Sequence, residues 1–258
     1  MSGISAISSV SGYSSYGSYG TIASGGAITS ASQDAAGLAI DEKTKAQTKE
    51  LDQGRENLQD AKSVLNIEDG ALGSINDYLQ SIRELTLRAS NATMGDEEKG
   101  YIQNQIDQYL QGIDDIANQT SFNEKKLLNG STENMTIASD GSSTMEISTS
   151  NGTVESLGLK GYNITSGEFS LKDIDDAMAK VQSSRTNTGA ETNRIDYATN
   201  YNSRASFELN GFRMDGNEDR SINALQKLKT KQALDQYQVM LQKKQQEDEE
   251  KKGQLFFA

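Results

Sequence analysis

The sequence predicts a mainly α fold: an elongated antiparallel helical rod, built like a coiled-coil bundle, with a small β-hairpin region. Three observations predict it. Leucines recur every seven residues, at Leu51, Leu58, Leu65, Leu72 and Leu79, and a second set follows three residues after each, at Gly54, Ala61, Glu68, Ile75 and Ile82. This is an a/d seam held for five heptads. The chain contains no Pro, the residue that breaks helix interiors. Leu, Ile, Val and Phe together make 49 of the 258 residues, too few for a thick globular core but enough for long helices that bury narrow seams.

Taken in order, residues 1–30 form a low-complexity arm. None of the first 33 residues is charged, and "SGYSSYGSYG" has little to bury. Ile4, Ile7 and Val10, three apart, suit a short amphipathic turn formed on contact. Helical patterning begins at Asp34 and runs to about Ala92, a length of roughly 90 Å at 1.5 Å per residue. Val64, Ala71, Tyr78 and Leu85 widen its apolar stripe, so this helix meets more than one neighbour. Glu68 stands out at a seam position, as a flaw or as a site that meets water or a partner. "NATMGDEEKG" interrupts the helix. Asp96, Glu97 and Glu98 then suit the first turn of a second one, where they complement its dipole. Ile102, Ile106, Tyr109, Ile113 and Ile116 form its seam, and it folds back antiparallel on the first.

The period changes at about 129–165. "NMTIASDGSSTMEISTSNGTV" alternates apolar and small polar residues, which reads as a β-hairpin, with a short extra strand near "SLGLKGYNIT". "SLKD" at Ser170–Asp173 has the form of a capping box and opens a third helix. Ile174, Ala177, Val181, Ser184, Thr188 and Ile195 mark its seam as far as about Leu209. "LNGFRMDGNEDRS" reads as a break. A fourth helix follows over about 221–252, with Ile222, Leu225, Leu228, Leu234, Tyr237 and Leu241 on one face and dense charge elsewhere. The plan is an arm over 1–30, a rod domain over 31–210 and a charged helical arm over 211–258.

Composition excludes several functions. A net charge of −12 opposes nucleic acid and anionic membrane surfaces as partners. The chain has no Cys and no His, which removes the commonest nucleophile–base pairs and metal ligands. No catalytic, cofactor-binding or metal site is expected, and the chain is not expected to be an enzyme. "SDGSSTMEIS" suits a hairpin turn far better than a carboxylate metal site. No run of 18 apolar residues occurs. No basic residue precedes Lys43, so the N-terminus does not resemble a secretory signal peptide. A chain without Pro or Cys is also free of slow prolyl isomerisation and disulfide reshuffling, as a chain that is threaded unfolded and refolds quickly would need to be.

"SASQDAAGLAI" at Ser30–Ile40 resembles the bacterial flagellin signature Ser-Ala-x-Asp-Asp-Ala-Ala-Gly-x-Ala-Ile, which opens the first long helix of the flagellin inner domain. "GALGSINDYLQSIRELTLRAS", "IDDIANQTSFNEKKLLNGS" and "RTNTGAETNRI" resemble flagellin segments in the same order, covering about residues 22–200. The resemblance implies a structural subunit of the flagellar filament, extracellular, exported by the flagellar machinery with an export chaperone and without a cleaved signal. Its partners would be itself or other flagellins. The other readings are a hook–filament junction protein and a secreted, non-polymerising flagellin-like adhesin or immune modulator.

The resemblance also marks residues and departures. The rod seam is Leu51, Leu58, Leu65, Leu72, Ile75, Leu79 and Ile82. An assembly or receptor-like face matches the family at Gln80, Arg83, Glu84 and Leu85 in "QSIREL". Ser81 replaces an arginine and Gln105 a glutamate there, which implies weak contact with a host innate receptor. The arms depart from the family. The first is short and Gly/Ser/Tyr-rich, and the last is rich in Lys and Glu where flagellins carry an amide-rich helix. Gln33 replaces the first acid of the signature, and Ala27 stands where a basic residue is common.

Overall fold

The structure, a computed structural model, describes residues 17–256 except Gln33, Ala92, Glu133, Gly167 and Glu168, with side chains described as far as residue 245. Ile4, Ile7 and Val10 lie outside the described residues. Four helices and two small antiparallel sheets are present among the described elements: α1 (Ala35–Ala89), α2 (Asp96–Gln119), β1 (Ser121–Phe122), β2 (Lys125–Lys126), β3 (Asn134–Ala138), β4 (Thr144–Ser148), α3 (Val154–Leu157) and α4 (Leu171–Phe256). Residues 17–23, within the low-complexity arm, are also helical. The chain divides into two compact units. Lys49–Ala205 forms one, and the described residues on either side of it form the other.

In the larger unit, α2 folds back on α1 across the turn at 90–95. The Tyr78 and Tyr109 rings lie 5.5 Å apart, a similar number of residues from that turn on either side, so the two helices run antiparallel. Asp96, Glu97 and Glu98 occupy the first turn of α2. Glu98 reaches back to accept from the Gly95 amide at 2.8 Å. α1 and α4 also run antiparallel, and cross-helix ion pairs fix their register. Lys62 meets Asp196 at 2.6 Å and Arg83 meets Asp175 at 2.7 Å; from 62 to 83 on α1 and from 196 to 175 on α4 is the same 21 residues. Arg185 grips Asp69 between them, through two nitrogens. The pairs are substantially exposed, so they specify register more than they add stability.

The core of this unit collects the seams of the three helices. Leu58, Leu65, Leu72, Ile75, Leu79 and Ile82 of α1, Ile106 and Ile113 of α2, and Ile174, Val181 and Ile195 of α4 are all at most 1% exposed. Leu51 is half-buried. The loop region adds Leu127, Leu128, Ile147, Leu159 and Ile164.

β3 and β4 form the expected hairpin, in the register Met135↔Ile147 and Ile137↔Met145. Its tip is tied by Asp140, whose carboxylate accepts from the Ser142 and Ser143 amides. Two features differ from expectation. The "SLGLKGYNIT" stretch forms no strand. Thr153 caps the single turn α3, accepting from the Ser156 amide, and Gly158 ends it in the left-handed region. Leu157, Leu159, Tyr162 and Ile164 then turn into the core without a strand partner. A second hairpin, β1–β2, precedes the main one. Asn123 and Glu124, both with positive φ, form its two-residue turn.

α4 is the larger difference. The break expected at 209–221 does not occur, and one helix runs from Leu171 to Phe256. Gly211 and Gly216 each weaken a helix by only about 1 kcal/mol, and no Pro removes an amide from the ladder. Long-range contacts in the smaller unit also engage this stretch. Arg220 donates to the Gly26 carbonyl at 2.8 Å, and its guanidinium bonds Asn217. Gly26 has φ +81°, and a Cβ there would fall 1.7 Å from the Asn217 oxygen, so only glycine fits. In the same unit Asp34 accepts from the Gly37 amide at 2.9 Å at the N-terminus of α1, which gives the acid of the "DAAG" signature a capping role.

Candidate functional site

Among the described residues, the helix faces and the docked hairpin are the features that bear on function. Among the described residues no group of three or more His, Cys, Asp or Glu is placed to hold a metal.

The hairpin lies along α1 and α4 in the larger unit and is held at both ends. At the tip, the Asn57 amide donates to the Ala138 carbonyl at 3.0 Å, and the buried Asn202 amide donates to the Ser139 carbonyl at 2.6 Å. Gly54 makes this approach possible: a Cβ there would sit 1.9 Å from the Ser139 oxygen. At the root, Glu68 accepts from the Ser150 amide at 2.9 Å, and Glu191 accepts from the Ser148 amide and hydroxyl, the latter at 2.6 Å. Burial raises the Glu68 pKa above its ordinary value and outweighs the lowering by the Ser150 hydrogen bonds, with smaller upward contributions from the Glu191 and Asp69 charges. Gly54 and Glu68 are fourteen residues apart, about 21 Å of helix. Both are seam positions of α1. On α4 the heptad Ile174, Val181, Thr188, Ile195 continues to Asn202, so the residue that holds the tip is also a seam residue.

The loop after the hairpin is fixed from the helices as well. Gln103 of α2, buried, accepts from the Ile164 amide at 2.8 Å and donates to the Tyr162 carbonyl at 3.0 Å. Tyr162 donates to the Thr86 hydroxyl at 3.3 Å, and burial raises its pKa above the usual phenol range. Lys180 of α4 donates to the Ser156 and Leu157 carbonyls at the end of α3.

The "QSIREL" face is only partly open. Gln80, Arg83 and Glu84 are exposed and Leu85 is half-buried. Arg83 is already engaged by Asp175 of α4, so this face is a two-helix surface rather than a property of α1 alone. Further along α4, level with the Lys62–Asp196 pair, Tyr197 and Tyr201 are exposed, at 78% and 66%. In the smaller unit Phe207, Phe212, Ile222, Leu225, Leu234, Tyr237 and Leu241 are exposed, and Leu228 is half-buried. Helix faces this apolar on a surface mark packing surfaces. The exposed stripe over 222–241 is visible in the sequence as a seam, whereas Asn57 and Gln103 carry no local signal of their contacts.

Comparison with known proteins follows this geometry. Residues 16–133 match the family model of the bacterial flagellin N-terminal helical region. Over 178 residues, 68% of this chain, the sequence is 35% identical to the phase 1 flagellin of Salmonella naestved and to the flagellin of Salmonella dublin. The chain spans about a third of the length of these curated relatives, 35% in each case. A crystal structure of Bacillus cereus flagellin superposes with a TM-score of 0.50 at 27% identity, over 57% of this chain and 88% of that one. A protein assigned as flagellar hook-associated, from Vibrio parahaemolyticus, superposes with a TM-score of 0.61 at 18% identity, over 72% of this chain and all of that one; this likeness is one of fold. Long antiparallel helices carrying a clamped hairpin define a flagellin-type helical module. The N-terminal helical region of the chain, residues 16–133, is that of a bacterial flagellin.

Proposed function

We propose that this protein is a structural subunit of the flagellar filament, working outside the cell and packing against copies of itself or against other flagellins. The observation that carries this reading is the flagellin match over residues 16–133, which covers α1 and α2, the helices that build the core of the larger unit. The surfaces available for packing are the exposed aromatic face of α4 and its apolar stripe over 222–241. In this reading residues 31–210 are the rod, and 1–30 and 211–258 are its terminal arms. Export through the flagellar channel with a chaperone and without a cleaved signal fits a chain with no Pro and no Cys. Contact with a host innate receptor is weak in this reading, because Arg83 is held by Asp175 and Ser81 stands in place of an arginine.

Arm chemistry sets the conditions for assembly. A Gly/Ser-rich arm has low helix propensity, and neighbouring copies of a charge-dense C-terminal helix repel one another at low salt. Purified protein is expected to remain monomeric at low ionic strength. It is expected to form filaments in high concentrations of an excluded salt, or on seeds of a second flagellin. Electron microscopy and sedimentation across these conditions test the proposal. Absence of filaments under salting-out and on seeds would refute the filament role, and long filaments formed readily at low salt would refute the account of the arms.

A further inference from the structure

Glu68 is a charged residue type placed in an apolar seam, and its surroundings give it a specific task. The side chain is fully buried. One carboxyl oxygen accepts from the Ser150 amide at 2.9 Å, and the other has no hydrogen-bond partner. Two residues earlier, at the end of β4, the Ser148 amide and hydroxyl are held by Glu191 of α4. Two carboxylates from facing helices therefore grip one short stretch of backbone. The charges that bear on Glu68 are both negative: Glu191 across the seam and Asp69 beside it on α1. The nearby cation, Arg185 of α4, is committed to Asp69. On the hairpin side Ser148 and Ser150 are uncharged, and Glu146 of β4 is exposed. The antiparallel register brings the buried Thr188 level with Glu68, and its hydroxyl is spent on the Ser184 carbonyl at 3.0 Å.

An ionised carboxylate in such a place loses its hydration, which the Ser150 hydroxyl and amide offset only in part, and meets like charge. A neutral carboxyl keeps the Ser150 hydrogen bond and removes the repulsion. The tip of the hairpin is secured independently, about 21 Å along the helix at Gly54 and Asn202. We propose that Glu68 is a proton-operated latch for the hairpin root: protonated, it stays in the α1–α4 seam and holds residues 148–150; ionised, it is pushed away from Glu191 and frees them while the tip remains docked.

The direction with pH follows from linkage. Burial holds the Glu68 pKa above 4.5 in the folded protein, so the folded state binds this proton more tightly than the unfolded chain. The stabilisation is fully present below the unfolded value and is lost as pH rises through the folded one. Asp140 and Glu155, whose pKa values are lowered by the Ser142 amide and by Lys160 respectively, act in the opposite sense and below their ordinary values. Their effects therefore fall in a more acid window than that of Glu68.

The test uses the full-length monomer at low salt. Carboxyl carbon resonances of labelled glutamate are followed by NMR, with Glu68→Gln identifying the Glu68 signal. Amide exchange is measured over the same pH range and corrected for intrinsic base catalysis. The Glu68 carboxyl is expected to titrate above pH 4.5, and protection of the Ser148 and Ser150 amides is expected to fall several-fold through the same midpoint. The Ser139 amide at the tip, which donates to the Ser143 carbonyl at 2.9 Å, keeps its protection. In Glu68→Gln the root amides show no pH-dependent loss. A carboxyl that titrates at or below 4.5, root protection that ignores its ionisation, or root and tip opening together would overturn the latch. If Glu68→Gln fails to fold, the wild-type exchange profile decides alone.

Discussion

Replacing Gly54 by Ala tests the docked hairpin against the ordinary rule for helices. In a helix interior Ala is favoured over Gly by about 1 kcal/mol. Here the added Cβ would lie 1.9 Å from the Ser139 carbonyl oxygen, whereas a carbon–oxygen contact needs about 3.3 Å. The hairpin tip must retreat by roughly 1.4 Å. The Asn202–Ser139 hydrogen bond, now 2.6 Å, and the Asn57–Ala138 bond, now 3.0 Å, then pass beyond hydrogen-bonding distance. Asn202 is buried, so its stranded amide costs about 1–3 kcal/mol, and the more exposed Asn57 bond contributes about 0.5–1 kcal/mol. Set against the helix gain, the net effect is a destabilisation of about 0.5–3 kcal/mol. Gly70 of the same helix supplies the control, because a Cβ there meets nothing within 4 Å; Gly70→Ala is expected to stabilise by up to about 1 kcal/mol. The assay is denaturant unfolding of the monomer followed by far-ultraviolet circular dichroism. A Gly54→Ala variant as stable as Gly70→Ala would refute the close approach. The double variant Gly54→Ala/Asn202→Ala should also lose less than the sum of its single variants, since both act on one contact.

Two further outcomes test the remaining parts of the fold. Leu72→Ala, at a fully buried seam position, should cost about 2–5 kcal/mol, while Leu87→Ala, at a site 57% exposed, should stay within about 0.5 kcal/mol of the wild type; equal shifts in Tm would put the helix phase of α1 in error. Limited proteolysis of the monomer should leave a core of about residues 31–210, and Arg220→Ala, which removes the bond to the Gly26 carbonyl, should speed cleavage within 17–30 without touching the larger core. Unchanged cleavage there would show that the Arg220 contact does not secure this segment.

The fold class was legible because its signal is long and periodic. Five leucine heptads without a proline leave little but a helix, and the acids at 96–98 announce the next one. The alternation around "SDGSS" shows the main hairpin for the same reason. Short-range signals failed where tertiary contacts overrode them. "SLGLKGYNIT" has apolar residues at strand-like spacing, yet a threonine cap and a left-handed glycine turn it into one helical turn and a buried loop. The β1–β2 hairpin is only two residues on each strand, too short to show a period. The glycines and asparagines of 209–221 have the composition of a break, but single glycines cost a long helix little.

The candidate site was legible in a less obvious way, through the seam positions that are not apolar. On α1 the exceptions in the heptads are Gly54 and Glu68; on α4 they include Ser184, Thr188 and Asn202. Read singly, each looks like a defect in a coiled coil. In the structure, three of these are where the hairpin meets the helices: Gly54 and Asn202 receive Ser139 at the tip, and Glu68 receives Ser150 at the root. A third helix could bury leucines at those positions, because side chains fill the gap between helix backbones. A hairpin that presents its own backbone cannot use them. Its carbonyls need a donor and room to approach, and its amides need an acceptor, since buried peptide groups left unpaired are costly. The polar interruptions of the seam therefore mark the position and length of the hairpin along the helices, and the spacing of fourteen residues between Gly54 and Glu68 fits strands of five residues and their tip.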